Sequence, residues 1–142
     1  MKSLIMVTIF LWVMTMISAG TTLAENMEPI KNPTLKDLQG KWEGISRLPW
    51  RGVFYSAVTK RYERPVVMTF DGAKASYSST QAHFDMFVKI AGEDITLTAG
   101  KRTDICKLNS SPDTMALDCK FEVGDTDEHM GYSGTMRLEK KK

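Results

Sequence analysis

Two cysteines, two histidines and five prolines are all that 142 residues contain of these types, and each scarcity narrows what the chain can be. Two histidines cannot supply a three-histidine zinc centre, and two cysteines cannot form the dense disulfide framework of the smallest secreted domains. An excess of one charge is missing as well: 19 Lys+Arg stand against 17 Asp+Glu, a formal net charge of +2, which carries no nucleic-acid signature. No phosphate loop or dinucleotide fingerprint occurs. Gly131-Tyr132-Ser133-Gly134 lacks the Gly-x-Ser-x-Gly spacing of a nucleophile elbow. After Gly40 no stretch sustains the period of a helix. What is left, at 42% hydrophobic and 25% charged, is the composition of one ordinary globular domain.

The first segment has a different character. Residues 3 to 24 carry no charged side chain, and Leu4 to Ile17 form a dense apolar run behind Lys2. A basic start, an apolar stretch and a following set of small residues mark a secretory signal. Ser18, Ala19 and Gly20 lead to Ala24 just before the first acid, Glu25, so cleavage is expected after Ala24, with Ala19 as the earlier alternative. The competing reading is an uncleaved anchor, since residues 3 to 24 could just cross a hydrocarbon core of ~30 Å. The strongly apolar part is shorter than that, which favours cleavage. The expected organisation is a signal peptide at 1–24, an extended leader with a short helical turn at 25–37, and one β-barrel domain at 38–140. The product is expected to be secreted or periplasmic, with no stable membrane anchor.

Both cysteines, Cys106 and Cys119, lie in the exported part, where an oxidising compartment makes a bridge between them the default. They flank Asn109-Ser110-Ser111-Pro112-Asp113-Thr114, a run of turn-forming residues. If two arms pair symmetrically about Pro112 and Asp113, Cys106 faces Cys119 and Leu108 faces Leu117. Met115, Leu117, Cys119, Phe121 and Val123 then share one face, with Ala116, Asp118, Lys120 and Glu122 on the other. The bridge reads as a structural staple, because a redox pair more usually takes the form Cys-x-x-Cys.

Thr34-Leu35-Lys36-Asp37-Leu38 offers a capping residue and one apolar turn, enough for a single short helix. Beyond Gly40 the apolar period is two: Phe84, Met86, Val88 and Ile90 alternate with Asp85, Phe87 and Lys89, and Ile95, Leu97 and Ala99 alternate with Thr96 and Thr98. Turn-forming residues at 71–72, 91–94, 99–101, 109–114 and 124–127 separate eight or nine short strands, near 40–47, 52–59, 62–70, 73–79, 83–90, 94–99, 102–109, 115–123 and 130–139. The fold class that follows is all-β, a small antiparallel up-and-down barrel of about eight strands with a short N-terminal helical turn and one disulfide.

Leu38-Gln39-Gly40-Lys41-Trp42 resembles the opening of the calycin-type barrels, the group of lipocalins, fatty-acid-binding proteins and avidins. In those proteins a short helical turn leads into a Gly-x-Trp that starts the first strand. The lipocalin tryptophan packs against an arginine from near the end of the barrel, for which Arg137 is the counterpart the resemblance implies. Binding of a small apolar or amphipathic ligand inside the barrel is what the resemblance then suggests.

An eight-stranded barrel encloses a space that side chains fill or that holds one small ligand. The inward set expected here is Met68, Phe70, Tyr77, Phe84, Met86, Val88, Leu97, Phe121, Tyr132 and Met136. These residues are either a ligand-binding lining or a solid core. The segment from Lys41 to Arg64 holds six basic residues and several aromatics, and within it Pro49-Trp50-Arg51-Gly52 places a tryptophan in a turn, so Trp50 and Arg51 are candidates for contact with a protein partner. The acidic turn Asp125-Thr126-Asp127-Glu128 lacks the remaining ligand positions of an EF-hand loop and reads as solvated. His83 and His129 sit at strand entrances, and Lys140-Lys141-Lys142 reads as a frayed tail. No catalytic group, metal site or cofactor is expected. The first functional expectation is a non-enzymatic, lipocalin-like carrier of a small apolar or amphipathic ligand. The alternative is a secreted protein-interaction module, such as an enzyme inhibitor, with a solid core that acts through its loops.

Overall fold

The computed structural model describes residues 26–49, 61–127 and 130–142. The apolar segment expected to be a signal, the strand expected at 52–59, and Trp50, Arg51 and His129 lie outside the described residues.

A two-residue strand β1 (Glu28–Pro29) and one helical turn α1 (Leu35–Leu38) precede eight longer strands. These are β2 (Gly40–Pro49), β3 (Arg61–Asp71), β4 (Lys74–Ser79), β5 (His83–Ala91), β6 (Asp94–Ala99), β7 (Arg102–Ser110), β8 (Thr114–Val123) and β9 (Tyr132–Lys141). Each of the eight pairs antiparallel with the next in sequence, and β9 returns to pair with β2. The result is a closed up-and-down barrel. Closure leaves no long unpaired edge, and β1 covers the stretch of β7 that extends past β6, pairing with Asn109 and Ser110.

The seam between β2 and β9 depends on two glycines. A Cβ on Gly44 would collide with the carbonyl oxygen of Arg137, and one on Gly134 would meet the Arg47 carbonyl and the ring of Phe121. Only a residue without a side chain lets these strands come together there.

Strand alternation sorts the rest. Trp42, Met68, Tyr77, Met86, Ile95, Leu97, Leu117, Phe121 and Leu138 turn inward and are essentially inaccessible to water. Burial of each such Leu or Met contributes ~1.5–3 kcal/mol. The expected pairing of Cys106 with Cys119 and Leu108 with Leu117 is observed, and the disulfide forms inside the barrel across β7 and β8. Ala116 departs from the expected pattern: it has outward parity yet is fully buried, beside the Asn109 on which β1 pairs.

Because consecutive strands alternate in direction, connections 72–73, 92–93 and 111–113 gather at the end that holds α1, and 80–82, 100–101 and 124–127 gather at the other. The α1 end is sealed. Asp37 accepts hydrogen bonds from the backbone N–H and hydroxyl of Thr34, which fixes the helical turn. Gln39 ties that turn to Gly72 in both directions. Trp42 lies beneath, with Nε1 donating to the Leu38 carbonyl at 2.6 Å and its ring edge-on to Phe70.

The cation over Trp42 is not the expected Arg137. It is Lys140, whose Nζ sits 4.8 Å from the ring and donates to the carbonyls of Asp37 and Gln39. Parity explains the difference: Met136 and Leu138 point inward, so Arg137 points out, where it pairs with Asp118 and Glu139. Nor is the C-terminus frayed, since Lys142 donates to the Ser110 hydroxyl and the Ser111 carbonyl.

Candidate functional site

At the end opposite α1 the barrel opens into a cavity of about 690 Å³. Its shape follows from strand lengths. β6 ends at Ala99, whereas β5 begins at His83 and pairs with β6 only from Phe87 onward, so the rim is notched where the β6–β7 turn passes. Phe84, Arg102, Val123 and Tyr132 line the cavity, with Phe87, Asp85 and Lys101 at its edge. Phe87 is 65% exposed and Tyr132 41%, so two aromatic faces are presented to solvent here.

The floor is charged. Asp104 is 0% exposed and the Arg102 side chain 11%, and they form a bidentate pair, Nε to Oδ1 at 2.7 Å and Nη2 to Oδ2 at 2.9 Å. Three rings hold the guanidinium in place: its centre lies 4.3 Å from Phe121, 4.7 Å from Tyr77 and 5.6 Å from Phe84. Tyr77 and Phe84 stack on one another at 4.6 Å. Asp104 is flanked across the sheet by Leu97 and Phe121, neither of which solvates a carboxylate. Burial therefore pushes the Asp104 carboxyl above its usual range, against the opposing pull of Arg102.

The expected lining divides into two groups. Met68, Phe70, Tyr77, Met86, Leu97, Phe121 and Met136 are packed against one another in the core, and Val88 is packed at its border. Phe84 and Tyr132 alone of that set line the mouth cavity. Trp50 and Arg51 belong to the β2–β3 connection and lie outside the described residues. In the basic segment, Lys41 pairs with Glu43, Arg47 with Glu63, and Arg64 donates to Gln81. His83 is exposed at the rim. Among the described residues no His, Cys, Asp or Glu side chains gather as a metal site. Arg102 and Asp104 are not among the site residues expected from the sequence.

This closed eight-stranded antiparallel barrel with one end sealed is compatible with a calycin-like fold. No protein-family model matches the chain, and neither does any curated protein or solved structure.

Proposed function

We propose that this is an exported, non-enzymatic binding protein that takes a small amphipathic ligand at the mouth of the barrel rather than deep inside it. The observation that carries this reading is the mouth cavity itself. It is the place among the described residues where inward-facing aromatic side chains, Phe84 and Tyr132, meet solvent beside a cation, while the interior below is filled. Its volume lies within the ~300–1,000 Å³ of small-molecule sites. The apolar part of the ligand would lie against Phe84, Val123 and Tyr132, and its polar end would reach toward Lys101 and Arg102. The disulfide supports an oxidising destination, which agrees with the expected signal peptide.

The test is a titration with N-phenyl-1-naphthylamine, a neutral apolar fluorophore, followed by amide chemical-shift mapping. Shifts confined to 84–87, 99–102, 123–126 and 132 are expected. Saturable binding whose shifts fall elsewhere would overturn the assignment of the site.

A second reading, a protein-interaction module with a solid core, is favoured by the packed interior and by Met130, which stands almost fully exposed on the β8–β9 connection. Absence of any small-probe binding at the mouth would support it over the first.

A further inference from the structure

Resting on the mouth-binding reading, we propose that the site is selective for compact organic anions, and that Asp104 is a built-in competitor which must take up a proton as the anion binds Arg102. The Arg102 guanidinium is held by the rings of Phe121, Tyr77 and Phe84, so its position does not depend on Asp104 alone. Arg102 lines the cavity, its side chain keeps 11% exposure, and its Nε and Nη2 are turned to the buried carboxylate. With Asp104 ionised the pair is neutral overall, and an entering anion gains little from it. With Asp104 protonated the guanidinium charge is free to meet the ligand's carboxylate or sulfonate.

The proton comes from solvent and resides on an Asp104 oxygen, and no covalent bond to the ligand forms or breaks. The surroundings make this exchange feasible. Leu97 of β6 and Phe121 of β8 are apolar neighbours that favour a neutral carboxyl, and the only charged group bonded to Asp104 among the described contacts is Arg102. Tyr77 of β4 lies beneath the guanidinium. The inward residues Ser46 of β2 and Met136 of β9 carry no charge, and Arg64 of β3 turns to Gln81. At the cavity edge, Lys101 donates to the Asp125 carbonyl and Asp85 is exposed.

The filled core also sets the size of the ligand. Below Arg102 the side chains of Tyr77, Met86, Leu97 and Phe121 leave no water-accessible space. The anionic head must therefore sit at the floor with the body lying outward across Phe84 and Tyr132. Aromatic or short aliphatic acids suit this geometry, whereas a long chain would trail into solvent.

The probe is 8-anilinonaphthalene-1-sulfonate, whose sulfonate stays ionised across the working range, used beside the neutral N-phenyl-1-naphthylamine. Calorimetry in two buffers of different ionisation enthalpy counts the protons taken up. Wild type is expected to bind the sulfonate with uptake approaching one proton, and with affinity rising by up to about tenfold per pH unit as pH falls through the range where Asp104 titrates. The neutral probe should show neither effect. Asp104→Asn should bind the sulfonate at neutral pH as tightly as wild type does at its acidic limit, without the proton, and an uptake that persists there would place the proton on another group and overturn the proposal. Should that variant not fold, the wild-type proton count still decides. Neutral-probe binding with no sulfonate preference and no proton uptake would refute the anion exchange while leaving the mouth site standing. Failure of both probes would refute the mouth reading itself.

Discussion

Opening the Cys106–Cys119 bridge tests how much of the barrel's stability is held in its unfolded state. The cysteines are 13 residues apart in sequence, so the bridge closes a loop of about 14 residues. The chain-entropy relation assigns such a loop about 3 kcal/mol of stabilisation at 25 °C. Both cysteines are buried in the core, so Cys106→Ala/Cys119→Ala also loses packing, at roughly 1 kcal/mol per site by comparison with other single-group core deletions. The double variant should therefore lose roughly 5 kcal/mol, and wild type refolded in reductant about 3. Against a typical total of roughly 5–15 kcal/mol, either is a large fraction. The assay is urea unfolding followed through the fluorescence of the buried Trp42, comparing oxidised protein, reduced protein and the double variant. The reduced forms should also show a steeper denaturant dependence, because an uncrosslinked chain exposes more surface when it unfolds. If reduced and oxidised proteins unfold at the same midpoint with the same slope, the loop-entropy reasoning is wrong for this hairpin.

Three further outcomes follow from the packing of the barrel. Asp104→Ala removes the acceptors of two buried Arg102 N–H donors and should cost about 1–3 kcal/mol, while Arg102→Met/Asp104→Leu should recover most of it; a double-mutant cycle in urea measures the difference. Because the folded-state pKa of Asp104 is raised by burial, its contribution is fully present below the unfolded value of about 3.9 and is lost as pH rises through the folded value. The stability of wild type relative to Asp104→Asn should thus grow on acidification from neutrality toward about pH 4, and a shrinking difference would contradict the assignment. Gly44→Ala drives a methyl group into the Arg137 carbonyl and should cost about 1–3 kcal/mol, with faster hydrogen exchange confined to the β2–β9 seam.

Most of the architecture is legible in the chain because period-two alternation and turn residues report on local geometry. The strands expected at 73–79, 83–90, 94–99, 102–109 and 115–123 agree with those observed to within a residue or so, and the turn between the cysteines pins the register of β7 and β8. The seal at the α1 end is only half legible. Gly40-x-Trp42 marks where the first long strand starts, but the cation that meets Trp42 is decided by which residues of β9 face inward. That parity selects Lys140 over Arg137. Lys140 opens a basic run that reads as a tail, and what holds it is a pair of main-chain carbonyls at the end of α1, which carry no signature in the sequence.

The charge pair at the floor of the mouth is implied by the disulfide register, although the apolar pattern of its strand does not reveal it. The register that sets Cys106 opposite Cys119 also sets Asp104 opposite Phe121 and Arg102 opposite Val123. It therefore places two charged residues of opposite sign, two apart, on the apolar face of the hairpin. A lone charge on that face would be a strand end reaching for solvent. An acid and a base at i and i+2 on a buried face can neutralise one another, and β7 continues inward beyond both of them. The apolar pattern of the strand conceals this, because the first apolar residue after Arg102-Thr103-Asp104 is Ile105, and Ile105 faces solvent. Where a disulfide fixes register, reading the polar residues on the cysteine face is thus as informative as reading the apolar ones. Here it leads to the one buried ion pair among the described residues and to the cavity that the pair underlies.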